Sequence, residues 1–159
     1  MDAGVPCADP RAAATPAMGG TNSRQIDYQV EEHLSAEEFR ELLIKSTLGE
    51  RRPVDDPDRM EAMVRNANLT ITARLDGKLV GVARSLTDFV YCTYLSDLAV
   101  DEAHQGRGIG TELIRRTKEA TPQAMLILLA APKAVQYYPH IGMDAHPACF
   151  TLTDLNALA

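Results

Sequence analysis

The sequence has 159 residues, 45% hydrophobic and 24% charged, which suits a single soluble domain with one core. Its formal net charge of −6, with dispersed Lys and Arg residues, argues against a nucleic-acid-binding protein. Three cysteines without metal or redox spacing predict free thiols in a reducing cytosol. Because the sequence shows neither a secretory signal nor an apolar run that could span a bilayer, we expect a cytoplasmic protein.

The first 25 residues, rich in Ala, Pro and Gly, predict a disordered tail, followed by one folded domain at 26–159. The domain is predicted to begin with one strand and two helices, at 26–31, at 35–47 and from Pro57 onward. The first helix carries a capping box, formed by Ser35 and Glu38. In the second helix, Asp56 can cap the N-terminus and the following proline suits the first helical position.

An antiparallel meander is predicted next, because apolar and polar residues alternate with period two from Leu69. The Asp76-Gly77 dipeptide suits a type I′ turn, so residues 68–75 and 78–86 should form a hairpin. A third strand at 93–100 leads into a glycine-rich turn and a helix. That helix is predicted from Arg107 to Ala120, and its buried face is predicted to hold Ile109, Leu113 and Thr117.

After this helix, the remaining residues are predicted to form two further strands of the sheet with a short helix between them. A continuous apolar run at 124–130 is typical of a strand buried on both faces. A short helix at 134–138 and a last strand at 148–152 would complete the domain. The pattern is mixed α/β, with an antiparallel meander followed by one strand–helix–strand crossover.

Three glycines, Gly106, Gly108 and Gly110, lie in the turn after the third meander strand. Where a strand leads through a glycine turn into a helix, several backbone N–H groups point in the same direction. The positive end of the helix dipole lies behind them, so the turn favours binding of a phosphate group. The dinucleotide fingerprint does not fit, since its last glycine position is occupied by Thr111, and no Gly-Lys-Ser/Thr follows as in a Walker loop.

Gln105, Gly108 and Gly110 resemble the acetyl-CoA motif Gln/Arg-x-x-Gly-x-Gly/Ala of the GNAT superfamily of N-acetyltransferases. The segment AVQYYPHIGM at 134–143 resembles the second motif of that family, A-x-x-F-Y-E-K-L-G-F, with Pro-His in place of Glu-Lys. The stretches at 83–101 and 128–143 are similar to the serotonin (aralkylamine) N-acetyltransferase group of plants and cyanobacteria. The resemblance runs from about Ile26 to the C-terminus and implies the GNAT fold, with splayed central strands.

The resemblance also implies acetyl-CoA as cosubstrate. The glycine turn would bind its pyrophosphate through backbone N–H groups, and the edge of the strand before the turn would pair with its pantetheine arm. The residues expected to bind acetyl-CoA are Leu98, Ala99, Val100, Gln105, Gly106, Arg107, Gly108, Ile109, Gly110 and Thr111.

Acetyl transfer to an amine requires a neutral amine, a stabilised oxyanion and a proton for the leaving thiolate. Alignment with the second motif places Tyr138 where the family has the tyrosine that protonates the thiolate. The alternative is that Tyr138 only packs the last helix, beside Tyr137. A backbone N–H at or near Val100 is expected to bind the oxyanion.

Asp97 is the candidate general base, because strand alternation places it on one face with Leu95 and Ala99. A carboxylate among apolar neighbours is costly unless it is paired or used. The alternative is that Asp97 accepts structural hydrogen bonds where the sheet splays. His140 is a weaker candidate base, and the four histidines show no metal-ligand spacing, so no metal is expected.

The predicted function is direct transfer of acetyl to a primary amine, and the similarity to the serotonin group favours a small aralkylamine. Phe89, Tyr91 and Tyr94 could line the acceptor pocket, although aromatic strand residues are more often core. The resemblance also implies that the loop at 49–56 contacts the acceptor, although a charged loop is as often only solvated. A protein N-terminus or lysine is the alternative acceptor, and an idle acyl-CoA-sensing module is the alternative to an enzyme. The expected partner is a small-molecule amine, with neither nucleic acid nor membrane, and the sequence leaves a homodimer open.

Overall fold

The computed structural model describes residues 25–158, so the predicted tail lies outside the described residues except for Gln25. The strands and helices of the described part are β1 Ile26–Val30, α1 Ala36–Lys45, α2 Pro57–Arg65, β2 Leu69–Leu75, β3 Lys78–Thr87, β4 Cys92–Val100, α3 Ile109–Ala120, β5 Met125–Ile127 and α4 Tyr137–His140. Short 3₁₀ helices lie at Leu48–Arg51, Glu102–His104, Pro132–Ala134 and Leu155–Ala157. Within these residues, no helix has the length and apolar character needed to cross a membrane.

Both predicted helix starts are confirmed. The Ser35 hydroxyl accepts a hydrogen bond from the Glu38 N–H at 3.4 Å, and the Asp56 carboxylate accepts one from the Arg59 N–H at 3.1 Å. Each cap satisfies one of the N–H groups that a helix start leaves without a carbonyl partner. The two caps therefore define where α1 and α2 begin.

The five strands form one sheet in the order β1-β2-β3-β4-β5. The first three pairings are antiparallel and the pairing of β4 with β5 is parallel, which confirms the predicted mixed fold. At the β2–β3 hairpin, φ is 50° at Asp76 and 79° at Gly77. Positive φ at both central residues is the signature of the predicted type I′ turn.

The sheet separates two apolar cores. On one side, α3 packs through Ile109 and Leu113 against β2 and β3, and Thr117 is also fully buried, as predicted. On the other side, α1 and α2 pack together against the sheet through Phe39 and Met60. The sheet is therefore covered on both faces, and its ligand-accessible part must lie at an edge or a gap.

A β-bulge at Ser96 interrupts β4. Leu95 and Asp97 face consecutive residues of β3, so Ser96 has no partner there. The extra residue reverses the alternation of side chains, because Leu95 packs in the α3-side core while Ala99 packs in the core on the α1 and α2 side. The expectation that Leu95 shares a face with Asp97 and Ala99 is therefore wrong for Leu95.

The sheet ends differently from the prediction. β5 has three residues, and Met125 and Ile127 are 56% and 40% exposed, so the expected strand buried on both faces is wrong. The segment at 148–152 forms no strand in the structure, and Phe150 is 92% exposed. Because nothing in the described chain pairs with the outer edge of β5, that strand remains at the edge of the sheet.

Candidate active site

A cavity of about 570 Å³ opens where β4 and β5 diverge. The two strands pair only from Cys92 to Tyr94 of β4, so the rest of β4 has no partner from β5. Three segments contribute most of the cavity wall, namely the α1–α2 connection, residues 95, 96 and 98–100 of β4, and the chain between β5 and α4. The free backbone groups of β4 along this wall suit an extended amide chain, which pairs with a strand edge as a peptide does.

The glycine turn lies at one end of this strand edge. Gly106 and Gly108 adopt φ values of 73° and 78°, in the left-handed region that favours glycine. Gly108 precedes α3, and no side chain of the described chain caps the first N–H groups of that helix. The N–H groups of Ile109, Gly110 and Thr111 therefore have no carbonyl partner within α3, which suits an anion such as a pyrophosphate.

The structure places the predicted acetyl-CoA residues along one path. Leu98, Ala99, Val100 and Gln105 line the cavity. The Gln105 side-chain amide donates to the Val100 carbonyl at 2.9 Å, which fixes the turn against the end of β4. The remaining predicted residues, 106–111, follow directly in the turn and the first turn of α3.

Tyr138 lies in the cavity wall. Burial raises the pKa of its phenol above the ordinary value, and the neighbouring Tyr137 adds to the shift. The two rings meet edge to face, with their centroids 5.3 Å apart. The phenol is consequently neutral at physiological pH and able to donate a proton. Its role as the acid remains a prediction.

Tyr137 has a contact that sequence reasoning missed. Its hydroxyl shares a hydrogen bond of 3.0 Å with the Thr111 hydroxyl, and a Cβ at Gly110 would lie 3.0 Å from the same oxygen. Tyr137 therefore holds α4 against the first turn of α3, beside the place where a phosphate would bind. The aromatic pair in the sequence indicates packing, but nothing in it identifies the partner.

Asp97 is buried between two arginines, with 1% of its surface exposed. One carboxylate oxygen accepts from Nε of Arg84 at 2.5 Å, and the other accepts from Nε of Arg52. Asp97 is not among the residues of the cavity wall. These contacts match the structural alternative stated for this residue, and its role as a base remains a prediction.

The same two arginines also hold the bulge residue. Nη2 of Arg52 donates to the Ser96 carbonyl at 2.8 Å, and Nη2 of Arg84 donates to the Ser96 hydroxyl at 3.0 Å. Sequence reasoning named the loop that holds Arg52 but missed the pairing of both arginines with Asp97, because Arg52 lies in a charged loop and Arg84 in an alternating strand. An arginine that is 5% exposed is a signal of pairing, but this burial is visible only in the fold.

The predicted acceptor contacts divide into two groups. Glu50, Arg51 and Arg52, from the loop at 49–56, line the cavity. Phe89, Tyr91 and Tyr94 are not part of its wall. Phe89 and Tyr91 lie in the connection between β3 and β4, Tyr94 lies near the start of β4, and Tyr91 is 77% exposed. His140 is exposed and also lies outside the wall.

Comparison with known proteins agrees with this geometry. The acetyltransferase (GNAT) family matches residues 36–143, more than half of the chain. GCN5-related N-acetyltransferase 2, chloroplastic, of Arabidopsis thaliana is 32% identical over 73 residues, 44% of this chain and 28% of that protein. The histone acetyltransferase TAP1 of Glycine max is 30% identical over 73 residues, 44% of this chain and 32% of that protein. The matched stretch therefore spans less than a third of either relative.

A solved structure shares the fold over nearly its whole length. The GNAT family acetyltransferase of Streptococcus pneumoniae TIGR4 superposes with a TM-score of 0.69 at 20% identity, covering 84% of this chain and 99% of that one. At this identity the likeness shows the fold alone. The family match over 36–143, with the fold and the glycine turn, places the chain in the acetyltransferase (GNAT) family, whose members are acyltransferases that use acetyl-CoA.

Proposed function

We propose that this chain is an N-acetyltransferase that transfers acetyl from acetyl-CoA directly to a primary amine. One observation supports the proposal: the free edge of β4, Gln105 directly before the open glycine turn, and Tyr138 line one cavity. The glycine turn would hold the pyrophosphate and β4 the pantetheine arm, so the thioester would lie near Tyr138. The amine would attack the thioester without a covalent enzyme intermediate.

The proposed chemistry removes two protons from the acceptor nitrogen and supplies one to sulfur. The bound ammonium first loses a proton, to water or to the predicted base Asp97, and the neutral amine then forms the C–N bond. The second proton leaves the nitrogen as the amide forms and restores the proton that Tyr138 gives up. The C–S bond breaks, and Tyr138 gives its proton to the departing sulfur. A backbone N–H at or near Val100 would stabilise the developing oxyanion.

For the acceptor we propose a small aralkylamine. Leu48, Leu95 and Leu128 contribute apolar surface to the cavity, which suits an aromatic or aliphatic group next to the amine. The alternative acceptor is a protein N-terminus or lysine, and the similarity to a histone acetyltransferase favours it. In either case the amine would approach from the α1–α2 connection.

Donor binding and transfer are tested separately. Coenzyme A at about a hundredfold its Kd should stabilise the fold by roughly 2.7 kcal/mol and raise Tm by several degrees, whereas NADH and ATP, which lack the pantetheine arm, should raise it much less. Release of free thiol from acetyl-CoA is then compared for tryptamine and for peptides with a free N-terminus or lysine. An equal thermal response to all three nucleotides would contradict the donor assignment, and binding of CoA without transfer would favour the acyl-CoA-sensing module.

A further inference from the structure

We infer that Arg52 is a positioning residue for acetyl transfer and that its charge makes the site select the acceptor amine in its neutral form. The inference rests on the proposed function and deepens it. Arg52 lies in the connection between α1 and α2, on the cavity wall where the acceptor would approach. Its contacts reach 44 and 45 residues along the chain, to the bulge of β4.

The positioning role follows from the geometry of the guanidinium. We call Arg52, Arg84, Ser96 and Asp97 the bulge clamp. Arg52 uses Nε for the Asp97 carboxylate and Nη2 for the Ser96 carbonyl, so two donors of one planar group hold the bulge. Because the bulge lies where β4 leaves β5, the clamp sets the direction of the free strand edge. A lysine offers one compact ammonium and cannot reproduce this fork.

The selection of a neutral amine follows from the charges. In the bulge clamp two guanidinium groups face one carboxylate, which leaves an excess of one positive charge. The side chains of Asp97 and Arg84 are 0% and 6% exposed, whereas that of Arg52 is 22% exposed, so the excess charge is exposed at Arg52. The other charged or titratable groups of the cavity wall are Glu50, Arg51, Glu102, Lys133 and Tyr138. Since Glu50 and Glu102 offset Arg51 and Lys133, the excess at Arg52 is not cancelled.

A cation beside the acceptor has a specific consequence. It disfavours a bound ammonium ion and lowers the pKa of a bound amine, so the proton can leave to water before attack. Polyamines and aminoglycosides, which carry several positive charges, are poor acceptors for such a site. The acceptor class that fits is a weakly basic monoamine attached to an apolar group.

The experiment separates charge from geometry with Arg52→Gln and Arg52→Lys. The matched control is Arg59→Gln, because Arg59 is exposed on α2 and is absent from the cavity wall. The pH dependence of kcat is measured with 2-phenylethylamine and with its less basic β,β-difluoro analogue. In the wild type, the acidic limb of the profile should lie at lower pH for the fluorinated amine, because the bound amine is the group that titrates.

The two variants should behave differently. Arg52→Gln removes the charge, so the acidic limb should move to higher pH by about one unit. Arg52→Lys keeps the charge and loses the fork, so the limb should stay while kcat falls about tenfold or more. The charge selection would be overturned if the kcat–pH profile of Arg52→Gln superposed on that of the wild type. It would also be overturned if the acidic limb lay at the same pH for both amines.

Amide hydrogen exchange tests the positioning without any transfer assay. In Arg52→Gln the amides at 96–98 should exchange about tenfold faster, while those of the β2–β3 hairpin stay unchanged. Unchanged exchange at the bulge would overturn the positioning role. If the wild type binds CoA but acetylates no amine, the proposed function fails and with it the charge selection, whereas the exchange result still decides the positioning role.

Discussion

Burial sets the protonation state of Tyr138, the proposed proton donor. Burial and the neighbouring Tyr137 raise the pKa of its phenol, so the proton is retained above the ordinary tyrosine range near pH 10. Tyr138→Phe keeps the ring and removes the hydroxyl. We expect kcat to fall by about 10²–10⁴-fold, with Tm and the affinity for acetyl-CoA little changed.

Steady-state kinetics and thermal melts check this expectation. Wild-type kcat should show no fall that is due to Tyr138 until the pH exceeds about 10, because the raised pKa keeps the donor protonated. Tyr137→Phe is the matched control, since it removes the bond to Thr111 and leaves the proposed donor in place. Wild-type turnover in Tyr138→Phe would assign the proton to water.

Asp97 is the residue for which the structural and catalytic roles make different forecasts. Asp97→Asn leaves two arginines beside a neutral amide, and loss of one partner from a buried ion pair costs about 3–5 kcal/mol. If the role is structural, stability falls and kcat/KM declines equally from about pH 6 to 10. If Asp97 is also the base, stability falls as well, because the same ion pairs are lost, but the loss of kcat/KM is greatest near neutral pH. The pH profile with tryptamine distinguishes the two roles, and urea unfolding measures the structural part that both share.

At the scale of one element, the start of α3 needs its glycines for different reasons. Gly108→Ala places a Cβ at φ 78°, a strain of roughly 1–2 kcal/mol that the turn can relieve by moving its N–H groups. We expect weaker CoA binding with kcat at saturation less affected. Gly110→Ala instead brings a Cβ to 3.0 Å from the Tyr137 hydroxyl, so we expect α4 to shift and kcat to fall more than CoA affinity.

Calorimetric titration of CoA and kinetics at saturating acetyl-CoA measure these effects. Gly77→Ala is the matched control, because Gly77 has φ 79° and open space around it in the β2–β3 hairpin. It should carry similar strain and leave CoA binding intact. A similar loss of affinity in Gly77→Ala would mean that general destabilisation, not the turn, explains the effect.

The same scale shows why some elements could be predicted and others could not. The caps at Ser35 and Asp56 and the turn at Asp76 are decided within four residues, so the sequence alone was sufficient. The bulge at Ser96 depends on the pairing with β3, because the period-two pattern continues on both sides of it. An apolar run such as that of β5 fits a buried or an edge strand, and only the path of the later chain decides which.

The candidate site follows the same rule. The glycine turn and Tyr138 were located through motifs, and the structure places them around the cavity or beside it. The contact between Arg52 and Asp97 joins residues 45 positions apart, and no local signal pairs them. The contact between Tyr137 and Thr111 joins residues 26 positions apart and has the same cause. Long-range pairs are therefore the part of the site that only the fold supplies.

At the scale of the whole molecule, one ion-pair network joins the α1 layer to the sheet. Arg74 of β2 donates to Glu31 at 2.6 Å and to Glu38 of α1 at 2.9 Å. Burial alone would raise the pKa of Glu31, but hydrogen bonds from Arg74, Thr72 and Gln29 outweigh it and lower that pKa. Because the network spans two layers, its loss should affect global unfolding and not one segment alone.

The sign of the pH dependence follows from that lowered pKa. A carboxylate with a lower pKa in the folded state stabilises the fold above its unfolded pKa, near 4.3, and loses this contribution as the pH falls. We expect Tm to drop between about pH 5 and pH 3, and Arg74→Gln to lower Tm at pH 7 and flatten this drop. Urea titrations at fixed pH values would measure both effects.

Arg115→Gln is the control that shows whether the loss of stability depends on the burial of the ion pair. Arg115 lowers the pKa of Glu112 to about 2, yet its own side chain is 49% exposed, so water and salt screen the pair. The Arg74 and Glu31 side chains are 15% and 16% exposed and are screened less. Arg115→Gln should therefore change Tm and its acid dependence less than Arg74→Gln, and the difference should persist in about 0.5 M salt. Equal effects of the two substitutions would show that the network between the layers has no special part in global stability.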